Sequence, residues 1–116
     1  TIAPALIAGN SVILKHASQT ILVGEHLADA YRAAGVSEDV FQNVVLSHET
    51  TSALIADNAF DFVNFTGSVG GGQAMERAAA GILSMCALAP AATASSICAR
   101  TSLAKRTLAI GPSVVA

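Results

Sequence analysis

A chain of 116 residues, 53% of them hydrophobic but only five aromatic, has room for one small domain and one modest core. Its formal net charge of −2 excludes a generally basic nucleic-acid binder and conceals a division. All eight acids, every aromatic and all three histidines precede residue 77. Residues 1–81 therefore carry −5, whereas residues 82–116 contain Arg100, Lys105 and Arg106, no acid, and a charge of +3. Folded domains seldom change composition so abruptly, and the chain reads as two segments, 1–81 and 82–116, of different origin. No charged n-region precedes an apolar h-region, so no signal peptide is expected and the cytoplasm is the default compartment. Cys86 and Cys98 fit neither a zinc spacing nor a disulfide framework, and no spacing suggests a metal site.

In chain order, Val12-Ile13-Leu14 is a short apolar run after Gly9-Asn10, the pattern of a strand buried on both faces. From Ile21 to Gly35 the positions Val23, Leu27, Tyr31 and Ala34 share one helix face. Ser18 or Thr20 can cap that helix, and Gly35 supplies the left-handed residue that ends it. Val40 to Leu46 is a second strand centred on Val44-Val45-Leu46. Thr51 to Asp57 is a short helix, with Ser47 or Thr50 as its cap, and Phe60 to Phe65 is a third strand. A glycine loop from Gly67 to Gly72 then leads into an alanine-rich helix over Gln73 to Ala80 that ends near Gly81. Alternating strands and helices of these lengths predict an α/β fold, a partial Rossmann-like parallel sheet of about three strands.

The tail reads differently. Of its 35 residues, 17 are Ala, Ser or Thr, scattered without a period of 2.0 or 3.6. Residues 78–99 are uncharged and long enough to raise a membrane span. Pro90 and Thr93-Ala94-Ser95-Ser96 interrupt that stretch, so an irregular or disordered tail is expected instead.

The chemistry gathers at two strand ends. Phe62 to Ser68 runs a buried strand into a turn that opens a helix, and a helix N-terminus presents unpaired N–H groups that attract phosphate. Glycines allow close approach and Ser68 adds a hydroxyl, although such a turn can equally serve only to cap and pack a helix. Gly67-x4-Gly72 lacks the Lys-Ser/Thr of a P-loop and does not match the dinucleotide fingerprint. Lys15 ends the first strand, where ligands approach open α/β sheets, and a solvated lysine would fit the same position. His16 has no acid partner nearby in sequence, and His26 and His48 read as surface positions.

Several of these segments together resemble the aldehyde dehydrogenase superfamily. Pro4 to Lys15 is similar to its P-A-L-x-x-G-N-x-V-x-x-K segment. Gln19-Thr20, Ala34-Gly35-Val36 and Val40 to Val45 follow its Q-T, A-G-[LV] and G-V-x-N-[VI]-[VI] in the same order. Phe65-Thr66-Gly67-Ser68 looks like its F-T-G-S cofactor loop, and the likeness runs through Gly81, reaching at most Leu88. The resemblance implies part of the NAD(P)-binding domain of a longer, homo-oligomeric enzyme that oxidises an aldehyde to a carboxylic acid. By position, Lys15 would contact the adenosine ribose or its phosphate, and Ser68 the pyrophosphate, with Gly67 and Gly72 giving close backbone approach. Ser18 stands where NAD-preferring members often carry a glutamate, so a 2′-phosphate would be tolerated and NADP or dual use follows. His16 replaces the family's usual proline, and Val69-Gly70-Gly71 is smaller than the family's residues there.

The resemblance breaks after Gly81. The family continues into L-E-L-G-G, whose glutamate is the general base, whereas this chain reads Ala87-Leu88-Ala89-Pro90. Neither cysteine lies in the family's G-Q-x-C setting, and the oxyanion-holding asparagine would fall before Thr1. No catalytic residue is therefore carried over, and the isolated chain is expected to be inactive and prone to aggregate through unpaired sheet edges. Ala91-Ala92-Thr93 can be encoded by bases that read Gly-Gly-Asn one frame away, and Ile97 to Thr101 can hide Tyr-x-Arg-Ala-Asp, which suggests a frameshift near Leu88. Two other readings stand beside this one: a stand-alone nucleotide- or phosphate-binding module using Lys15 and Ser68, and a small membrane-associated protein using residues 78–99.

Overall fold

The computed structural model describes residues 2–80, 85–90 and 106–110, the second of these stretches by its backbone only. Its elements are α1 (Ile2–Ile7), β1 (Ser11–Lys15), α2 (Ile21–Ala33), β2 (Phe41–Val44), α3 (His48–Ala56), β3 (Phe62–Gly67), α4 (Val69–Ala79), β4 (Met85–Pro90) and β5 (Arg106–Ile110). A 3-10 turn, Ser18–Thr20, joins β1 to α2. The five strands form one parallel sheet in the order β2-β1-β5-β3-β4. The α/β class and the parallel sheet are as the sequence implies, with two strands more than the three it declares. Both extra strands come from residues 82–116, whose remaining expectations, the hidden-frame strings and Cys98 among them, lie outside the described residues.

Alternation along the strands sorts the core onto two faces. Val63 and Phe65 of β3 and Leu108 and Ile110 of β5 pack with Ile55 and Met75, beneath α3 and α4. Val12 and Leu14 of β1, Phe41 of β2 and Ala109 of β5 pack on the other face, beneath Leu6 of α1 and Leu27 and Tyr31 of α2. Helices thus cover both faces of an all-parallel sheet, the arrangement that lets such strands bury apolar residues on each side. The Tyr31 and Phe41 rings meet at a centroid distance of 4.7 Å and fasten α2 to the sheet edge.

Local details depart from the sequence reading in four places. First, neither Ser18 nor Thr20 caps α2 with its side chain. Thr20 Oγ1 instead donates to the Ala17 carbonyl at 3.3 Å and meets His16 Nδ1 at 3.1 Å, because the 3-10 turn already brings the chain round. Second, the buried face of α2 is turned from the expected one: Val23 is 58% exposed and Gly24 is buried in its place. An added Cβ at Gly24 would overlap His16 and Asn43, so the helix sits close to the sheet at that turn. Third, β2 ends at Val44, and Val45, expected at the strand's centre, is 68% exposed. Register with β1 runs from Val12↔Phe41 to Lys15↔Val44, so pairing stops where β1 stops. Fourth, Gly70 to Gly72 are not a loop but the opening of α4, capped by Ser68. Two expectations are met closely: Gly35 takes φ +86° at the end of α2, and the Ser47 side chain accepts from the Thr50 N–H to start α3.

Candidate functional site

The carboxyl ends of the strands converge on a cavity of about 260 Å³. Its walls include Lys15 from the end of β1, His48 from the start of α3, Phe65 of β3, Ser68 and Gly71 at the start of α4, and Ile110 from the end of β5. Open α/β sheets bind ligands at this edge, because there the strands release the chain into loops and helix N-termini.

Lys15 is the charged group of the cavity. The residue is only 4% exposed, and no ion pair to it exists among the described residues. Burial alone lowers its pKa from the ordinary 10.5, since the cation loses hydration with no carboxylate to replace it. A lysine whose stem is buried and whose ammonium is partly desolvated, with no ion pair among the described residues, favours an anion beside it. The start of α4 points the same way. Ser68 Oγ accepts from the Gly71 N–H at 3.2 Å, and the Ser68 carbonyl accepts from the Gly72 N–H at 3.0 Å. A helix leaves its first four N–H groups without helical partners, so those of Val69 and Gly70 remain available, as does the Ser68 hydroxyl proton. Nothing lies within 4 Å of where a Gly70 Cβ would stand, so the first turn of α4 is open on that side, although Gly70 is not itself among the cavity's lining residues.

The other glycines answer to packing. A Cβ on Gly67 would come to 2.6 Å from Phe65 Cζ, and one on Gly71 to 2.7 Å from the same atom. The Phe65 ring thus lies over the strand-to-helix turn, and glycine at both positions makes room for it. Gly72 is buried in α4. Of the residues singled out in the sequence, the structure brings Lys15 and Ser68 to one cavity, whereas Gly67, Gly72 and Ser18 are not among its lining residues. Ser18 is exposed on the 3-10 turn.

The sequence reading missed His48, Thr51 and Ser52, which bring α3 to the cavity wall. The clue was present: a Ser47 cap places the first turn of α3 directly after β2, at the same sheet edge as Lys15. Thr51 is 1% exposed and its Oγ1 donates to the Ser47 carbonyl at 2.7 Å, which fixes that turn. His16 lies beside the site rather than in it. Desolvation lowers its pKa, in keeping with a neutral ring, and its Nε2 has no partner among the described residues. Also among the described residues, no three His, Cys, Asp or Glu side chains are grouped to hold a metal ion. No helix there is long and apolar enough to cross a membrane, and much of the 78–99 stretch falls outside those residues.

Comparison with known proteins adds a second line of observation. The family model described as "Aldehyde dehydrogenase family" matches residues 1–107. The N-succinylglutamate 5-semialdehyde dehydrogenase of Sphingopyxis alaskensis is 44% identical over 80 residues, covering 69% of this chain and 17% of that protein. N-succinylglutamate 5-semialdehyde dehydrogenase 1 of Caulobacter vibrioides is 40% identical over 79 residues, 68% of this chain and 17% of the relative. A probable succinate-semialdehyde dehydrogenase [NADP(+)] of a Synechocystis species is 38% identical over 79 residues, again 68% and 17%. The chain therefore matches about 17% of the length of these relatives. No solved structure matches it.

Proposed function

The chain belongs to the aldehyde dehydrogenase family, and on that premise we propose that residues 1–81 form part of a dinucleotide-binding domain whose anion site is the Lys15–Ser68 cavity. The Lys15 side chain, largely buried and with no ion pair among the described residues, carries this reading, because a fold retains such a cation where an anion can compensate it. Phosphate oxygens of NAD or NADP suit the donor set: one cation, one hydroxyl and the free N–H groups at the head of α4. Ser68 would bind the pyrophosphate, with Gly67 and Gly72 keeping the turn close, and Lys15 would hold the ribose or its phosphate. Ser18 adds no negative charge beside the ribose, so a 2′-phosphate is accommodated; one relative's name, with its NADP(+), supports that choice.

When bound in a complete enzyme, the dinucleotide supplies the hydride acceptor for oxidation of an aldehyde to an acid. The relatives' names favour semialdehydes, aldehydes that carry a carboxylate elsewhere, as the substrate class. These residues contribute binding and orientation. The family's nucleophile and general base have no counterpart in the chain, so the 116 residues alone give no turnover. The composition break at residue 81 supports a divergent C-terminal segment, although the family model extends across it to residue 107, and the coding DNA tests the frameshift that would explain the divergence. Titration of the purified chain with NADP, NAD and inorganic phosphate tests the site. Saturable NADP binding weakened by Lys15→Met supports it, and no binding of NADP or NAD overturns it. Equal affinity for phosphate and NADP would favour a general phosphate-binding module. An aldehyde-dependent rise in NAD(P)H absorbance would overturn the prediction of inactivity.

A further inference from the structure

We infer that β5 is a surrogate strand, an apolar segment from late in the chain that fills a strand-acceptor slot between β1 and β3, and that the slot binds the same segment supplied as a separate peptide. The topology carries this. One common doubly wound order runs 3-2-1-4-5, and in it the central position belongs to the strand that comes first in the chain. In the order β2-β1-β5-β3-β4, strands β1 to β4 take the second to fifth positions in sequence order. The first position is taken by the last strand. The family match ends at residue 107, so Leu108, Ala109 and Ile110, the apolar part of this central strand, lie beyond it.

What the slot selects is therefore physical character. Its two walls are the parallel edges of β1, registered from Ser11↔Arg106 to Lys15↔Ile110, and of β3, from Phe62↔Thr107 to Phe65↔Ile110. Toward α3 and α4 it takes large side chains, Leu108 at 0% exposure and Ile110 at 6%. Toward α1 and α2 it takes a small one, Ala109. At its mouth Asp61 acts as a latch. The Arg106 N–H donates to Asp61 Oδ2 at 2.9 Å, Arg106 Nε donates to the same oxygen at 3.3 Å, and the Asp61 N–H returns a bond to the Arg106 carbonyl at 2.9 Å. The slot thus recognises a short extended segment headed by a basic residue, with large apolar side chains on one face and a small one on the other. Ile110 also lines the Lys15 cavity, so the strand that fills the slot forms part of that wall.

The test reads backbone amide exchange and does not depend on dinucleotide binding. In the full chain, the amides that face β5, those of Ile13 and Lys15 in β1 and of Val63 and Phe65 in β3, are expected to exchange slowly. Leu108→Asp in the full chain, or truncation after Lys105, lowers their protection at least tenfold. A peptide of residues 105–112 restores it, and the same peptide carrying Leu108→Asp does not. Unchanged protection after truncation, or equal rescue by both peptides, overturns the inference. Should both variants precipitate, Leu108→Ala in the full chain carries the test. Protection must then fall at β1 and β3 before β2; a uniform fall, or none, overturns it.

Discussion

Replacing Lys15 by methionine should move stability and binding in opposite directions. The residue is 4% exposed at the end of β1, with no ion pair among the described residues, so the fold holds this cation against its hydration. Methionine keeps the length and removes the charge. Burying an uncompensated polar group costs about 1–3 kcal/mol in mutational series, and a gain at the lower end of that range is expected. Binding goes the other way, because a hydrogen bond to a charged group contributes about 1.5–3 kcal/mol and each tenfold is about 1.4. NADP affinity should therefore fall roughly 10- to 150-fold. The pH dependence gives an independent sign. Burial lowers the folded pKa below 10.5, so on approaching 10.5 the unfolded chain holds more protons than the folded one. Stability from this group then rises with pH between the folded and unfolded pKa values, and its penalty is fully present below both. Urea midpoints at neutral and alkaline pH, with calorimetric NADP titration, read all three. A Lys15→Met chain with a lower midpoint and unchanged affinity would refute the reasoning.

Three other substitutions probe separate contacts. Gly24→Ala should lower the urea midpoint: helix propensity favours alanine by about 1 kcal/mol, but the new Cβ overlaps His16 and reaches 2.8 Å from Asn43 Cγ. Overpacking of that kind costs about 1–3 kcal/mol, and a raised midpoint would show that these neighbours move aside. Ser68→Ala should cost about 0.5–2 kcal/mol as a lost cap and weaken phosphate binding, whereas Ser68→Thr should preserve both in the same titrations. Ser18→Glu should shift the ratio of NADP to NAD dissociation constants toward NAD, and an unchanged ratio would place Ser18 away from the ribose.

Much of the first 80 residues was legible because local chemistry and tertiary packing agree there. The β1 and β3 apolar runs, the Ser47 cap and the left-handed Gly35 each follow from a short-range rule, and each stands in the fold. The pairing of Lys15 with Ser68 in one cavity was legible through the positions of strand ends. Gly70 to Gly72 misled because glycine's poor helix propensity argues for a loop, whereas the Ser68 cap and the Phe65 ring over Gly71 set the helix start earlier. Val23 misled because helical spacing defines a stripe but not its rotation. That rotation is set by Gly24, whose missing side chain admits His16 and Asn43. β5 was invisible for a different reason. Arg106 to Ile110 is a brief apolar stretch among alanines and threonines, and its strand state comes from partners far upstream on both sides.

The charge division takes on a further meaning once β5 is placed, because Asp61 of the acidic segment meets Arg106 of the basic one. Electrostatics is nevertheless the lesser cause of that meeting. The two side chains are 33% and 59% exposed, and pairs of this kind contribute about 0–1 kcal/mol. Leu108 is fully buried between β1 and β3, and emptying such a site usually costs about 2–5 kcal/mol. Asp61→Asn should therefore lower stability by less than about 1 kcal/mol, since an amide oxygen can still accept from the Arg106 N–H. Leu108→Ala should cost several times more. Raising salt should shrink the first effect and leave the second intact. The reverse ranking in urea unfolding would mean that charge, not burial, recruits the strand. A slot that selects by burial needs only apolar length, with one small residue facing α1 and α2, and that is how a segment lacking its family's motifs can stand at the centre of the sheet.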